Sequence, residues 1–438
     1  MSNRTGSKFR VLINNFKIFE KTGREFDKFG IRNYDFGFIK FEFRNKLSFY
    51  FCKFGNSNQP GLRPESVEKM LIDGKNYQSI WIDENDRNVV KVIDQQKLPF
   101  FFEIKELSSV EDVYNAIKAM TVRGAPLIGA AGAFGIYLAT LEITAHTNIQ
   151  SHLRNAAGYL VSCRPTAVNL SWAINRVMSK LSSFSDKESL SEAALSCALE
   201  ICDLERENCR KIGENGLSLI NDISIMRKGQ PVNILTHCNA GWLACIDYGT
   251  ATAPIYFARE KGIPVHVWVD ETRPLNQGSR LTAWELGKAG VPYTIVTDNA
   301  GGHLMQNGLV DLVFVGCDRA TRRGDVANKI GTYLKALAAF DNNVPFYALL
   351  PSSSIDFSII DGRKEIIIEE RDQEEVKSLK GFTEGSVKSV RICPDDADAG
   401  NWGFDITPAR LVTGLITEKG ICKAEEQSIK ELFSETLK

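Results

Sequence analysis

From Pro231 onward the chain alternates between short apolar runs and longer amphipathic segments, and this alternation leaves few folds open. The runs are 232–235, 265–269, 293–296, 312–315 and 346–350, each flanked by Pro or Gly. Continuous apolar runs of this length read as strands buried on both faces. The segments between them suit helices of roughly ten residues. Strand, helix and strand in repetition give a parallel sheet with right-handed crossovers, here a Rossmann-like doubly wound sheet. Ligands of such sheets sit at the carboxyl ends of the strands.

Each of these strands ends in polar residues. The first delivers Thr236-His237-Cys238-Asn239-Ala240-Gly241, and the second runs into Asp270-Glu271-Thr272-Arg273-Pro274-Leu275-Asn276-Gln277. The third meets Asp298 and Asn299, the fourth Gly316-Cys317-Asp318-Arg319, the fifth Pro351 and Ser352. One polar strand exit is ordinary loop chemistry; five on one sheet edge are what a ligand crevice needs. Cys238 is a candidate reactive thiol, set against the plain alternative of a buried structural cysteine. Asn328-Lys329 reads as the opening of the helix after Asp318. A lysine in a first helical turn opposes the helix dipole unless an anion lies there. No strand is followed by GxGxxG, and there is no GxxxxGK[ST] and no GxSxG, so dinucleotide, P-loop and hydrolase chemistry are disfavoured.

The segment before the sheet carries two similar features. Thr121-Val122-Arg123-Gly124-Ala125-Pro126 leads into a small-residue helix, and Ser162-Cys163-Arg164-Pro165-Thr166 leads into another from Ala167 to Met178. Each places Pro where a first helical turn tolerates it and an Arg just before. A helix N-terminus attracts anions, and a guanidinium adds a phosphate fork. The apolar run from Ala125 to Ala145 is long enough to span a membrane, but it is rich in Ala and Gly and carries Glu142. It reads as a tightly packed buried helix. Ser109 with Asp112 reads as a capping box for a helix through Val113, Ile117 and Met120. A long helix from Ser185 to Ile220 carries Leu190, Ala194, Ala198, Ile201 and Leu204 on one face. Segments 79–82 and 89–93 read as short strands.

With 438 residues the chain is long enough for two domains and a full core. Its 43% apolar and 24% charged content is that of a globular protein, and a net charge of −1 gives no reason to expect nucleic acid or a membrane surface as partner. Ten cysteines without a CxxC pair argue against a disulfide frame or zinc ribbon and for a reducing compartment; five His give no metal-site pattern. The expected organisation is an aromatic and basic extension over 1–69, a small α+β strand and helix domain over 70–222, a Rossmann-like catalytic domain over 223–425 and a tail over 426–438. The extension alternates aromatic and charged residues, as in Phe36-Gly37-Phe38-Ile39-Lys40-Phe41-Glu42-Phe43, with few aliphatic residues to form a core. It reads as a poorly packed appendage, with Met70 as an alternative start; a small aromatic-binding or partner module is the other reading.

The motifs VRGAPLIG, RPTAVNL, THCNAG, ETRPLNQGSRLTAWEL, GCDRA and ANKIGTY, in this order, resemble the S-methyl-5-thioribose-1-phosphate isomerases of methionine salvage. The resemblance runs from about Met70 to Cys422; Gly381 to Asp398 is looser and longer, and no role is attached to it. The resemblance implies a cofactor-free, generally dimeric cytoplasmic enzyme acting on a small phosphosugar. By it, Cys238 is the active-site cysteine and Asp318 the catalytic aspartate and proton donor. Substrate binding falls to Arg123, Gly124, Ala125, Arg164, Gln277, Asn328 and Lys329.

The reaction so implied is an aldose–ketose isomerisation of a sugar whose anomeric oxygen carries phosphate. That ester blocks ordinary opening to a free aldehyde, so the ring oxygen must be protonated as its bond breaks. Asp318 can donate only if its setting raises its pKa. Hydrogen then moves between adjacent carbons, either as a proton through a Cys238 thiolate or as a direct hydride shift beside it. Arg123, Arg164 and Lys329 would hold the phosphate and exclude water. Two rivals stand beside this reading. One is an isomerase of 5-deoxyribose 1-phosphate or ribose 1,5-bisphosphate, distinguished by apolar or cationic residues at the far end of the pocket. The other is a non-catalytic subunit related to the translation-initiation exchange-factor α, β and δ subunits, in which Cys238 and Asp318 need not share a cavity.

Overall fold

The computed structural model describes residues 38–42, 48–52, 71–164 and 167–434. The chain divides into two units, Met1–Glu65 and Ser66–Lys438. In the first, Phe38–Glu42 pairs antiparallel with Ser48–Cys52, Phe41 opposite Phe49. The aromatic alternation there does form a strand. The expectation of poor packing for the rest of 1–69 falls outside the described residues.

The second unit is built on a seven-stranded sheet: β1 (Val232–His237), β2 (Val265–Asp270), β3 (Tyr293–Val296), β4 (Leu312–Val315), β5 (Phe346–Leu349), β6 (Gly414–Thr417) and β7 (Gly420–Cys422). Their order is β3-β2-β1-β4-β5-β6-β7, with β7 alone antiparallel to its neighbour. All five strands expected from the sequence are present and parallel. The chain starts at β1, winds outward to β3, then crosses back to β4 beside β1. That reversal leaves a crevice between the ends of β1 and β4. Val315 lies opposite His237, so Cys238 and Gly316 leave the sheet at one level. All four residues of β4 are fully buried, which accounts for its unbroken apolar sequence.

A smaller sheet covers the crevice, in the order Ile355–Asp356, Arg319–Thr321, Val326–Lys329, Phe404–Thr407. This corrects one expectation: Asn328 and Lys329 end a strand and do not open a helix. Asn328 pairs with Asp405 and Lys329 with Phe404. The helix Thr332–Asp341 starts only after Gly331, whose φ of 102° turns the chain. The helix-dipole argument for an anion at Lys329 therefore falls; its setting at the strand end supplies a different one below.

Five helices precede the sheet: α1 (Val110–Lys118), α2 (Ala125–Leu141), α3 (Ile149–Ser162), α4 (Val168–Leu181) and α5 (Lys187–Met226). Ser109 caps α1, accepting from the Asp112 N–H at 3.1 Å. The helix stops short of Met120, which takes φ 60°. As expected, α2 is buried in protein; a Cβ on Gly132 would lie 2.5 Å from Leu170 of α4, so small residues let the two helices close up. Among the described residues no helix is long and apolar enough to cross a membrane. On α5, Leu190, Ala194, Ala198 and Ile201 face the core as expected, but Leu204 is 38% exposed. The buried stripe steps four residues from Ile201 to Glu205, then to Asn208 and Cys209, and turns Leu204 outward. Helix α4 begins at Val168, later than expected, and Pro165 lies outside the described residues.

Candidate active site

The loop after β1 is held in a conformation the chain would not choose alone. Cys238 has φ 65°, the left-handed region, at a cost on the order of 1 kcal/mol for a residue with a Cβ. Its N–H donates to Thr272 Oγ1 at 2.8 Å, and its carbonyl accepts from Thr282 Oγ1 at 2.7 Å. Thr272 is fixed in turn, because its N–H and that of Arg273 donate to the Asp298 carboxylate at 2.7 and 2.8 Å. The exits of β1, β2 and β3 are thus tied into one frame.

Glu285 anchors the same loop from below. It is fully buried and accepts from Asn239 Nδ2, the Trp242 and Leu243 N–H groups and the Tyr256 hydroxyl, at 2.9–3.2 Å. Burial pushes its carboxyl up to about 7, against the Asn239, Leu243 and Tyr256 donors and the Arg123 charge. Behind Cys238, His237 Nδ1 stands 3.1 Å from Asp270 Oδ2 and its Nε2 stands 2.8 Å from the Ile330 carbonyl oxygen. His237, Asp270 and Asp298 approach one another as metal ligands would. The Lys335 ammonium lies 3.0 Å from Asp270 and donates to the Asp298 carbonyl at 2.6 Å, so a cation already occupies that ground.

All nine residues singled out from the sequence line one cavity, which holds about 720 Å³ of empty space including its open mouth. Arg123 is buried and its guanidinium donates to both the side-chain oxygen and, at 2.6 Å, the carbonyl of Asn239. Gly124 caps α2 with φ 94°, and a Cβ there would lie 2.4 Å from the Ala244 carbonyl oxygen. Ala125 and Pro126 follow in the first turn, as expected. Arg164 stands just past the end of α3, where it ion-pairs with Glu369 at 3.2 Å. Gln277 is buried, and its Oε1 has no partner among the described residues. Asn328 donates to Thr332 Oγ1 at 3.0 Å.

Asp318 and Lys329 face each other electrostatically. Asp318 N–H donates to the Ala327 carbonyl at 3.0 Å, fixing it beside the strand that carries Lys329. Burial raises the Asp318 carboxyl above the usual carboxylate range, while Lys329, Arg164 and Arg123 pull it down and Glu369 pushes it up. Burial lowers the Lys329 ammonium, opposed by Cys238 and Asp318 and assisted by Arg164 and Arg371. The ammonium lies 5.0 Å from the centre of the Phe404 ring. A cluster of cations beside a carboxyl whose pKa is raised by burial can bind an anion and, when the carboxyl carries its proton, donate it to that anion or its neighbour.

The cavity continues in two directions. Past Met120, Arg123, Gln277 and Arg371 it joins a vestibule of about 1320 Å³ of open space. One wall of that vestibule is the hairpin of Ser378–Thr383 with Ser386–Arg391, whose second half falls within the stretch Gly381 to Asp398 to which the sequence assigns no role. Past Gly124, Arg164, Asp318 and Phe404 it joins an arm of about 570 Å³ lined by Ile128, Val168, Ala327, Ile366 and Ile368, with Asn169 and Arg319 as its polar members. Sequence reasoning missed Arg371 and Phe404. Arg371 sits in the charged run Glu369-Glu370-Arg371-Asp372, which looks like solvated surface; only its half-buried place on the cavity wall marks it.

Residues 121–424 match the Initiation factor 2 subunit family. A methylthioribose-1-phosphate isomerase of Desulfatibacillum aliphaticivorans is 56% identical over 369 residues, covering 84% of this chain and 100% of that protein. Its counterpart in Acidiphilium cryptum is 55% identical over 365 residues, covering 83% and 98%. Of solved structures, 5-methylthioribose 1-phosphate isomerase from Pyrococcus horikoshii is 36% identical with a TM-score of 0.72, covering 85% of this chain and 99% of that one. The translation initiation factor eIF-2B subunit delta from A. fulgidus is 39% identical with a TM-score of 0.68, covering 82% and 100%.

Proposed function

Because the chain belongs to the Initiation factor 2 subunit family and, within it, to the methylthioribose-1-phosphate isomerases, we propose that it converts S-methyl-5-thio-α-D-ribose 1-phosphate to S-methyl-5-thio-D-ribulose 1-phosphate. The observation that carries this reading is the convergence of Cys238 and Asp318 on one cavity, from the strands either side of the sheet's reversal. A regulatory subunit of the same fold has no need of that pairing. The arm beside Asp318 is walled mostly by apolar side chains, and its two arginines are already paired, Arg164 with Glu369 and Arg319 with Asp356, so it suits a methylthio group better than a second phosphate.

In this reading Arg123, Arg164 and Lys329 hold the phosphate, with Asn328 and the unpartnered Gln277 oxygen orienting the sugar. The backbone of Gly124 and Ala125 lets the ligand approach the start of α2. Asp318, whose pKa burial raises, gives its proton to the ring oxygen as the bond to C1 breaks. Hydrogen then passes from C2 to C1, and the C2 hydroxyl loses its proton to the Asp318 carboxylate as the ketone forms. In one route the Cys238 thiolate takes the C2 proton and returns it to C1; in the other the hydrogen crosses as hydride while Cys238 shapes the site. Deuterium placed at C2 separates the routes, since loss to solvent marks the thiolate and full retention at C1 marks the shift. The reading includes a cytoplasmic homodimer that works without metal or organic cofactor, nucleic acid or membrane. We also read 1–69 as an extension to a strand and helix domain over 70–222 and a catalytic domain over 223–425.

The test is turnover of three sugars by the purified chain: methylthioribose 1-phosphate, 5-deoxyribose 1-phosphate and ribose 1,5-bisphosphate. The first should have the highest kcat/KM and the bisphosphate the lowest. Best turnover of the bisphosphate would move the assignment to the rival sugar. No turnover of any of the three would favour a non-catalytic subunit.

A further inference from the structure

Arg371 stands on the wall of the reacting cavity, and the isomerase scheme above gives it no part. Its guanidinium is locked in one plane. Nε and Nη2 donate to the two oxygens of Glu375 at 2.9 and 2.6 Å, and Nη1 donates to Glu369 Oε1 at 3.0 Å. Glu375 is fixed from behind by Asn401 Nδ2 at 2.9 Å. Glu369 gives its other oxygen to Arg164 Nη2 at 3.2 Å. One carboxylate therefore holds two arginines, from distant parts of the chain, side by side on the cavity wall. Arg164 Nε is buried without a partner among the described residues, so the pair still has a donor to offer.

The charges of this wall do not balance without an anion. Arg123, Arg164, Lys329 and Arg371 bring four positive charges, and Glu369 and Glu375 bring two negative ones. With Asp318 and Cys238 neutral two positive charges remain, and with either of them ionised one remains, so the wall is short of an anion in each of these states. Three of the five N–H groups of the Arg371 guanidinium are engaged by the Glu369 and Glu375 carboxylates, which leaves one on each Nη to donate to phosphate oxygens.

We propose that Arg371 is a further contact for the substrate's phosphate, and that Glu369, dividing its oxygens between Arg371 and Arg164, is the positioning residue that aims both guanidiniums. The proposal rests on the isomerase reading for the sugar but not for the phosphate. A purely structural Arg371 would instead only tie down the segment between Glu369 and Asn401.

The test measures binding of inorganic phosphate by calorimetry, and inhibition of turnover by phosphate-free methylthioribose, in wild type, Arg371→Gln and Arg371→Lys. Arg371→Gln should weaken phosphate about ten- to a hundredfold and raise KM more than it lowers kcat, as loss of one charge-assisted contact requires. Arg371→Lys, which keeps the charge and loses the fork, should fall between. Inhibition by the phosphate-free sugar should stay within about twofold in both, taking the loss of a phosphate contact as the only change. Unchanged phosphate affinity in a folded Arg371→Gln would overturn the proposal, as would equal losses for phosphate and the phosphate-free sugar. Should Arg371→Gln not fold, the same comparison in Arg371→Lys decides. If wild type turns over no sugar phosphate while Arg371→Gln still loses phosphate, the isomerase reading fails and the phosphate contact stands.

Discussion

In the proposed scheme Asp318 must carry a proton to open the ring, and the groups that surround it make that proton depend on the substrate. In the free site three cations draw its pKa down against burial. A bound phosphate would neutralise them, so the carboxyl should hold its proton to higher pH in the complex than in the free enzyme. The basic limb of kcat should then lie at higher pH than that of kcat/KM, and Asp318→Asn should leave no such limb to compare. Coincident limbs in both profiles would remove substrate-assisted protonation from the mechanism. At this scale the sequence was informative where motifs name positions: each of the nine residues lines the cavity. It was silent on Arg371, because a charged run looks the same whether it faces water or a buried anion.

The elements that aim these side chains are strained or buried in ways that mutation should expose. Gly124 combines φ 94° with a carbonyl 2.4 Å from where a Cβ would be. Gly124→Ala should destabilise the fold by about 2 kcal/mol or more, and raise KM by shifting Arg123. A melting temperature and KM equal to wild type would show that the start of α2 tolerates the change. Glu285 and Glu205 each have a carboxyl raised to about 7 by burial. Unfolded, a glutamate titrates near 4.3. Between those values the folded state binds more protons than the unfolded, so stability should fall as pH rises from about 4.3 to about 7 and level off above. Glu285→Gln should flatten that fall in melting temperature; an unaltered slope would place the effect elsewhere. Neither glutamate was legible in the sequence. On α5 the expected stripe ended on Leu204, and only the packing against the sheet shows that Glu205 takes its place. Lys329 was misplaced for a related reason: four residues of mixed polarity carry no period that separates a strand end from a first helical turn.

For the whole molecule, the order β3-β2-β1-β4-β5-β6 brings Cys238 and Asp318 together, although they lie far apart along the chain. The parallel core was readable because its strands are apolar on both faces. The small sheet that covers the crevice was not, since its strands Arg319–Thr321 and Val326–Lys329 are short, mixed in polarity and set by pairing rather than pattern. The relatives' full length is matched by 84% of this chain or less. A chain beginning at Met70 should therefore fold and turn over substrate at a rate close to the full chain's. Loss of either would give residues 1–69 a part in the enzyme. The most direct measurement of the whole scheme is turnover of methylthioribose 1-phosphate by wild type, Cys238→Ser and Asp318→Asn, with phosphate binding followed in parallel. Turnover in wild type, lost in both variants while each still binds phosphate, is the expected result. Turnover that survives in folded Asp318→Asn and Cys238→Ser would contradict it, because the chemistry would then lie outside the pair that the sheet's reversal brings together.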